Sequence, residues 1–272
     1  MNQKLRGSVL KILKKACAFD HVEIMLRGHF GNHPAYQNNT MLLGYNVFTV
    51  SEFNDTLATE KAAGNKVIAY QLEQLYDKSP WLNQHSIGFL KQCDEVWDYD
   101  LNNIQYMWDV FGIKAKFRPM LYSNSLKTIV PTPYEKCDID FLFYGSMNKA
   151  RSDMLSYIQR YVGKNRVTYL DNAWGVELDE AISRSKVILN LHYYPVGRQE
   201  QVRMFYPVIN GKCVLSEQSE RNYMGKSILD VRPDDVPQVC DELVGSGAWR
   251  QMAESAPKTY AKLSADYISR FR

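Results

Sequence analysis

The clearest pattern of apolar and polar positions lies between Ser185 and Glu217, in SKVILNLHYYPVGRQEQVRMFYPVINGKCVLSE. Val187, Ile188, Leu189 and Leu191 form an apolar run of strand length, while Asn190, His192 and Tyr194 alternate along one face. Polar groups therefore gather at the strand's carboxyl end. The spacing predicts a strand, a polar loop, a helix from about Gln199 and a second strand. In open α/β sheets that edge is where ligands bind, and the following helix points its free N–H groups and positive end into the same crevice. An anionic ligand suits such an edge.

The rest of the chain alternates in the same way. HVEIMLR (His21 to Arg27) reads as a strand, followed by a turn at Gly28, His29, Phe30 and Gly31, a helix over Ala35 to Leu43, and a strand NVFTVSEF. A short helix near Thr56 to Ala63 follows, then a strand KVIAYQLE and a helix around Trp81 to Gln92. The series closes with the strand EVWDYD, a helix over Leu101 to Phe111 and the strand KAKFRPM. Such alternation predicts a parallel sheet covered on both faces. Leu121 to Lys136, with Ser123, Asn124, Ser125, Pro131 and Pro133, has no apolar period and reads as a linker. A second series runs through DIDFLFYGS, a helix from Asn148 to Tyr161, RVTYLDN, ELDEAISRSK, the Ser185 to Glu217 unit, SILDVRP and a helix opening at Asp234.

The expected fold is α/β, with two Rossmann-like lobes facing a cleft and a compact N-terminal lobe. Residues 1–121 form the first lobe and 122–248 the second. A helical tail over 249–272 is expected to pack back on the first.

Composition narrows the class. At 272 residues, 45% hydrophobic and 23% charged, the chain is ordinary for a soluble globular protein. No apolar run approaches the ~20 residues that cross a bilayer, and the N-terminus lacks a secretion signal. The location implied is cytoplasmic. The five cysteines are odd in number and show no CxxC spacing, so they read as reduced thiols rather than as disulfides or a zinc site. A net charge of +3 is compatible with phosphate-bearing ligands and falls short of a dedicated nucleic-acid binder. Lys4, Arg6, Lys11, Lys14 and Lys15 surround Val9, Leu10, Ile12 and Leu13 in a basic amphipathic helix. It can rest on an anionic membrane surface or a DNA backbone, or simply dock one face on its own domain.

A second cluster, FLFYGSMNKARSDML, runs a strand into Gly145 and Ser146, with Asn148, Lys149 and Arg151 opening the next helix. A small residue at such a turn lets backbone N–H groups approach a phosphate, and cations one turn apart can clamp its oxygens. Neither a Walker A loop nor a GxGxxG fingerprint is present, which disfavours an NAD-dependent enzyme.

The succession DIDFLFYGSMNKAR, ELDEAISRSKVILNLHYY and EQVRMFYPVINGKCVLSE resembles the nucleotide-sugar lobe of GT-B glycosyltransferases, in particular the group 1-like and CgeB-like bacterial and phage proteins. Upstream, KVIAYQLEQL followed by CDEVWDYDLNNIQYM resembles their acceptor-side lobe. The resemblance implies that Gly145, Ser146, Asn148 and Arg151 hold the donor diphosphate and that His192 and Tyr194 line the donor cleft. It places Glu200 and Arg203 on the helix that meets ribose and phosphates. Related proteins often read RxFE where this chain reads Arg203, Met204, Phe205, Tyr206, so ribose recognition falls to Glu200 or Glu217. In the first lobe the glycine loop at Gly28 to Gly31 occupies a position that GT-B enzymes turn toward donor or acceptor. His29 and Glu73 are its acid and base candidates, beside His192 in the second lobe. Asp98, Asp100, Lys116 and Arg118 are candidates for the acceptor side. As residues alone, His192 is equally a core histidine and Glu200 with Arg203 a surface helix pair.

The activity so implied is transfer of a hexosyl or pentosyl group from a nucleoside diphosphate sugar, a UDP-sugar first, to a hydroxyl. No metal and no permanently bound cofactor is expected, since no DxD pair sits in a suitable loop. The expected acceptor is a bacterial surface glycan. Hydroxymethylated DNA bases are the alternative, and a catalytically silent nucleotide-sugar binding module is a third reading.

Overall fold

The computed structural model of the protein describes residues 40–44, 52–171 and 173–270. The basic amphipathic segment, HVEIMLR, the Gly28 to Gly31 turn and His29 lie outside the described residues. The chain divides after Met120 into two compact units.

The first unit runs β1 (Thr40–Gly44), α1 (Glu52–Ala62), β2 (Lys66–Gln71), α2 (Gln84–Gln92), β3 (Glu95–Asp98), α3 (Leu101–Phe111) and β4 (Ala115–Phe117). Its sheet has the order β1-β2-β3-β4, every pair parallel. The expected helix over Ala35 to Leu43 is corrected in its last part: Thr40 to Gly44 pairs in parallel with Lys66 to Tyr70. A short apolar run such as Met41-Leu42-Leu43 satisfies either periodicity, and the free edge of β2 decides for strand. The end of NVFTVSEF is likewise helical, since α1 starts at Glu52. Caps set the other boundaries. Asn83 and Ser86 exchange side-chain and backbone bonds in a capping box at α2, and Asp100 accepts from Asn102 N and Asn103 N at α3. Leu57, Val67, Phe89, Leu90, Val96 and Met107 fill the core.

The second unit runs β5 (Ile139–Tyr144), α4 (Lys149–Val162), β6 (Val167–Leu170), α5 (Val176–Arg184), β7 (Ser185–Asn190), α6 (Gln201–Ile209), β8 (Cys213–Glu217), β9 (Leu229–Val231), α7 (Val236–Ser246) and α8 (Trp249–Arg270). The parallel sheet has the order β6-β5-β7-β8-β9. In chain order this is 2-1-3-4-5, the flavodoxin-like arrangement, whose topological switch point lies between β5 and β7. Successive strand residues enter opposite cores. Phe141, Phe143, Val187, Leu189 and Leu215 pack on one side, and Leu142, Ile188 and Val214 on the other. That is why these strands read as unbroken apolar runs.

The segment read as a linker is fastened to this unit: Leu126 is buried, and the Asn210 amide oxygen accepts from Thr128 N and Ile129 N, both at 3.0 Å. The terminal helix α8 belongs to the same unit. Its stripe at Trp249, Ala253, Ala256 and Tyr260 is buried, the first two in one core and the last two in the other.

Candidate functional site

The switch point puts the carboxyl ends of β5 and β7 side by side, with Phe143 opposite Leu189. Just past β5, Gly145 adopts φ +117, and a Cβ there would stand 3.1 Å from Arg203 Nη2. The Arg203 guanidinium therefore rests close to the Gly145 backbone, where a side chain would crowd it and the positive φ favours glycine. Arg203 sits in the first turn of α6, and two features fix it. Its Nη2 bonds Glu200 Oε2 at 3.0 Å. Its carbonyl, deprived of an intrahelical donor because Pro207 lies four residues on, accepts the Tyr144 hydroxyl at 2.8 Å. Burial pushes the Tyr144 phenol well above the usual tyrosine range, which keeps it a donor. A second guanidinium nitrogen, Nη1, is buried and has no hydrogen-bond partner.

Arg151 behaves differently. Its side chain is 1% exposed, with Nε donating to Leu191 O at 2.9 Å, Nη1 to Ser146 O at 2.8 Å and Nη2 to both Glu200 oxygens at 3.0 and 3.1 Å. Burial lowers its pKa from the ordinary arginine value, and the charge of Glu200 opposes that. Glu200 also accepts Tyr193 N at 3.2 Å. Asn148 caps α4 by accepting Arg151 N, while its amide nitrogen donates to Tyr193 O at 2.7 Å. Ser146 is exposed at the same turn, and Lys149 makes an exposed pair with Asp153. The structure thus brings Gly145, Ser146, Asn148, Arg151, Glu200 and Arg203 together at one sheet edge. Tyr194 joins them through Tyr193, the two rings packing edge to face at 5.0 Å.

His192 stands at the next strand gap. Its backbone N–H donates to Glu217 Oε2 at 2.6 Å, and its Nε2 faces the Gln218 carbonyl at 3.2 Å. The ring proton belongs on Nε2, which leaves the buried Nδ1 as an acceptor without a partner. Asp230 lies within its field; burial raises that carboxyl above the usual aspartate value, with Ser219 N and His192 opposing. Glu217 is thus bound to the His192 backbone, and Glu200 is the carboxylate at the Arg203 edge. Tyr206 serves elsewhere, its hydroxyl donating to Asp179 at 2.7 Å and lying 3.0 Å from Thr128 Oγ1.

In the first unit, Glu73 is half-buried two residues past β2, its amide donating to Gln71 Oε1 and its carbonyl accepting from Asn103 Nδ2. The carboxylates of Asp98 and Asp100 are turned inward. Asp98 is fully buried and accepts from Asp100 N at 2.7 Å and from Asn103 Nδ2, and Asp100 caps α3. These two carboxylates build the start of the helix. Lys116 is drawn to Glu95 at 3.0 Å, and Arg118 lies over the Trp97 ring at 5.4 Å.

Sequence reasoning missed Tyr144, Tyr193 and Gln199. Gln199 is fully buried and bridges Asn222 and Tyr223 N, tying the loop before α6 to the one after β8. For Tyr144 the signal exists: a proline inside a helix orphans the carbonyl four residues earlier, and that carbonyl needs a donor.

No protein-family model matches the chain, and no curated protein matches it in sequence. In fold it is similar to Anabaena Alr3699/HepE in complex with UDP and glucose, at a TM-score of 0.57 and 8% identity over 84% of this chain and 76% of that one. The same protein in complex with UDP gives a TM-score of 0.56 at 9% identity. Accessory secretory proteins 1, 2 and 3 of Streptococcus pneumoniae give 0.50 at 8% identity, over 86% of this chain and 52% of that one. With two parallel α/β units and these neighbours, the chain has the GT-B fold. Among the described residues no helix is long and apolar enough to cross a membrane.

Proposed function

We propose that this protein is a glycosyltransferase whose second unit binds the diphosphate of a nucleotide sugar at the Gly145–Arg203 edge and whose acceptor is a hydroxyl of a glycan. The observation that carries the reading is the Arg203 guanidinium, laid on the Gly145 backbone at the switch point with Nη1 buried and unpartnered. A buried cationic donor without an acceptor is costly unless a ligand completes it. The N–H groups at the start of α6 lie in the same place, so leaving-group charge meets a cation and a helix N-terminus together. UDP in the Anabaena neighbour supports a uridine donor. Glu73, its backbone clamped at the carboxyl edge of the first sheet, is the base candidate of the first unit. Protein cations in this role make a metal unnecessary. The two cations expected on the acceptor side are engaged within their own unit, Lys116 with Glu95 and Arg118 over Trp97, so the glycan reading is kept.

A thermal-shift screen against UDP, GDP, ADP, CMP and their sugar conjugates tests this. A nucleotide at about a hundred times its Kd stabilises the native state by about 2.7 kcal/mol, which raises Tm by roughly 5–10 °C for a chain of this size. Arg203→Met is expected to abolish most of that shift while leaving the unliganded Tm within a few degrees. No shift with any diphosphate, or an undiminished shift in Arg203→Met, would contradict the assignment.

A further inference from the structure

We propose that Arg151 is a positioning residue that does not touch the donor: it holds Glu200, and through Glu200 it fixes the Arg203 guanidinium over Gly145. The inference rests on the donor reading above and deepens it.

A cation in the first turn of α4, right after a Gly-Ser turn, has the sequence signature of a phosphate clamp. The geometry points the other way. The side chain is 1% exposed and lies between the Phe143 and Tyr193 rings, with its Cζ 5.4 and 4.9 Å from their centroids. Its three nitrogens serve three segments at once: Nε the end of β7 at Leu191 O, Nη1 the turn after β5 at Ser146 O, and Nη2 the Glu200 carboxylate at the start of α6. A planar fork can reach those acceptors together, and an ammonium cannot.

The two strands it joins are those whose connections diverge at the switch point, so Arg151 fastens the segments that leave β5 and β7 to each other. Glu200 in turn receives Arg151, Arg203 and Tyr193 N. Two guanidiniums and one carboxylate leave one net positive charge. That charge is presented by Arg203, whose side chain is 19% exposed and whose Nη1 is unpartnered. Arg151 thus works on the ligand only by fixing where Arg203 stands.

The test is a double-mutant cycle on UDP affinity, with GDP or ADP as the probe if wild-type protein does not bind UDP. Arg151→Lys keeps the charge and loses the fork. It is expected to weaken UDP binding about tenfold in the wild-type background and less than about twofold in Arg203→Met, because coupled residues are non-additive. Equal losses in both backgrounds mean that Arg151 meets the phosphates itself, and they overturn the proposal. If Arg151→Lys does not fold, the cycle of Glu200→Gln with Arg203→Met decides: coupling supports the chain through Glu200, and additive effects sink it. Wild-type protein that binds none of UDP, GDP and ADP overturns the donor reading itself, whereas binding with additive losses overturns only the role of Arg151.

Discussion

At the scale of single residues, charge and environment decided roles that residue type alone left open. Lys116 has the character of a nucleic-acid or acceptor contact, yet together with Lys66 it brackets Glu95, at 3.0 and 2.6 Å. Burial pushes the Glu95 carboxyl upward, but hydrogen bonds from Lys66, Trp97 and Lys116 outweigh it and hold the pKa at about 2, against an ordinary 4.5. A depressed carboxylate stabilises the fold fully above its unfolded pKa, and that contribution is lost as pH falls from about 4.5 through about 2. Both lysines are about half exposed, so the gain at neutral pH is under about 1 kcal/mol. Glu95→Gln is therefore expected to lower stability slightly at pH 7 and to flatten its dependence between pH 4.5 and 2, as read by urea unfolding at several pH values. An unchanged dependence in the variant would show that the ion pairs contribute nothing. Asp98 and Asp100 make the same point: aspartates at a strand end serve equally as ligands or as helix builders, and here they build α3.

At the scale of elements, α6 is the piece on which the site depends. Its nine residues include Pro207, and the helix tolerates it because Tyr144, from the end of β5, supplies the missing donor to Arg203 O. One hydrogen bond therefore ties the strand that ends at the Gly145 turn to the helix that carries the cation. Tyr144→Phe leaves that carbonyl without its donor and should cost about 1–3 kcal/mol, measured as a lower urea midpoint. Because α6 loses its anchor, nucleotide affinity should fall as well. Unchanged stability and affinity would mean that another group satisfies the carbonyl. Elements with strong local signals were legible in the sequence: the runs of β5, β7 and β8 and the helical tail that forms α8, whereas Asp100, read as an acceptor-side candidate, is the cap of α3. The strand β1 was not, because five residues without an isolating turn carry too little periodicity, and only pairing with β2 selects their conformation.

At the scale of the molecule, each unit has its own parallel sheet and core, and α8 is structural in the second. Ending the chain at residue 248 would uncover positions now filled by Trp249 and Tyr260, both under 3% exposed. Burying such side chains is worth about 1.5–3 kcal/mol each, a large part of the ~5–15 kcal/mol that holds a domain together. The truncated chain is expected to be insoluble or to melt at least 10 °C lower by circular dichroism, and a native Tm would show that α8 is dispensable. The sequence by itself determined the α/β alternation, the apolar strands, the turn at Gly145 and the stretch in which the polar residues gather, because these follow from periodicity and local backbone chemistry. Only the tertiary structure decided which cation faces outward. Arg151 and Arg203 have the same side chain and similar places in the first turns of their helices; one is enclosed between β5 and β7 and the other left at the edge, a difference set by strand order rather than by neighbours in the chain.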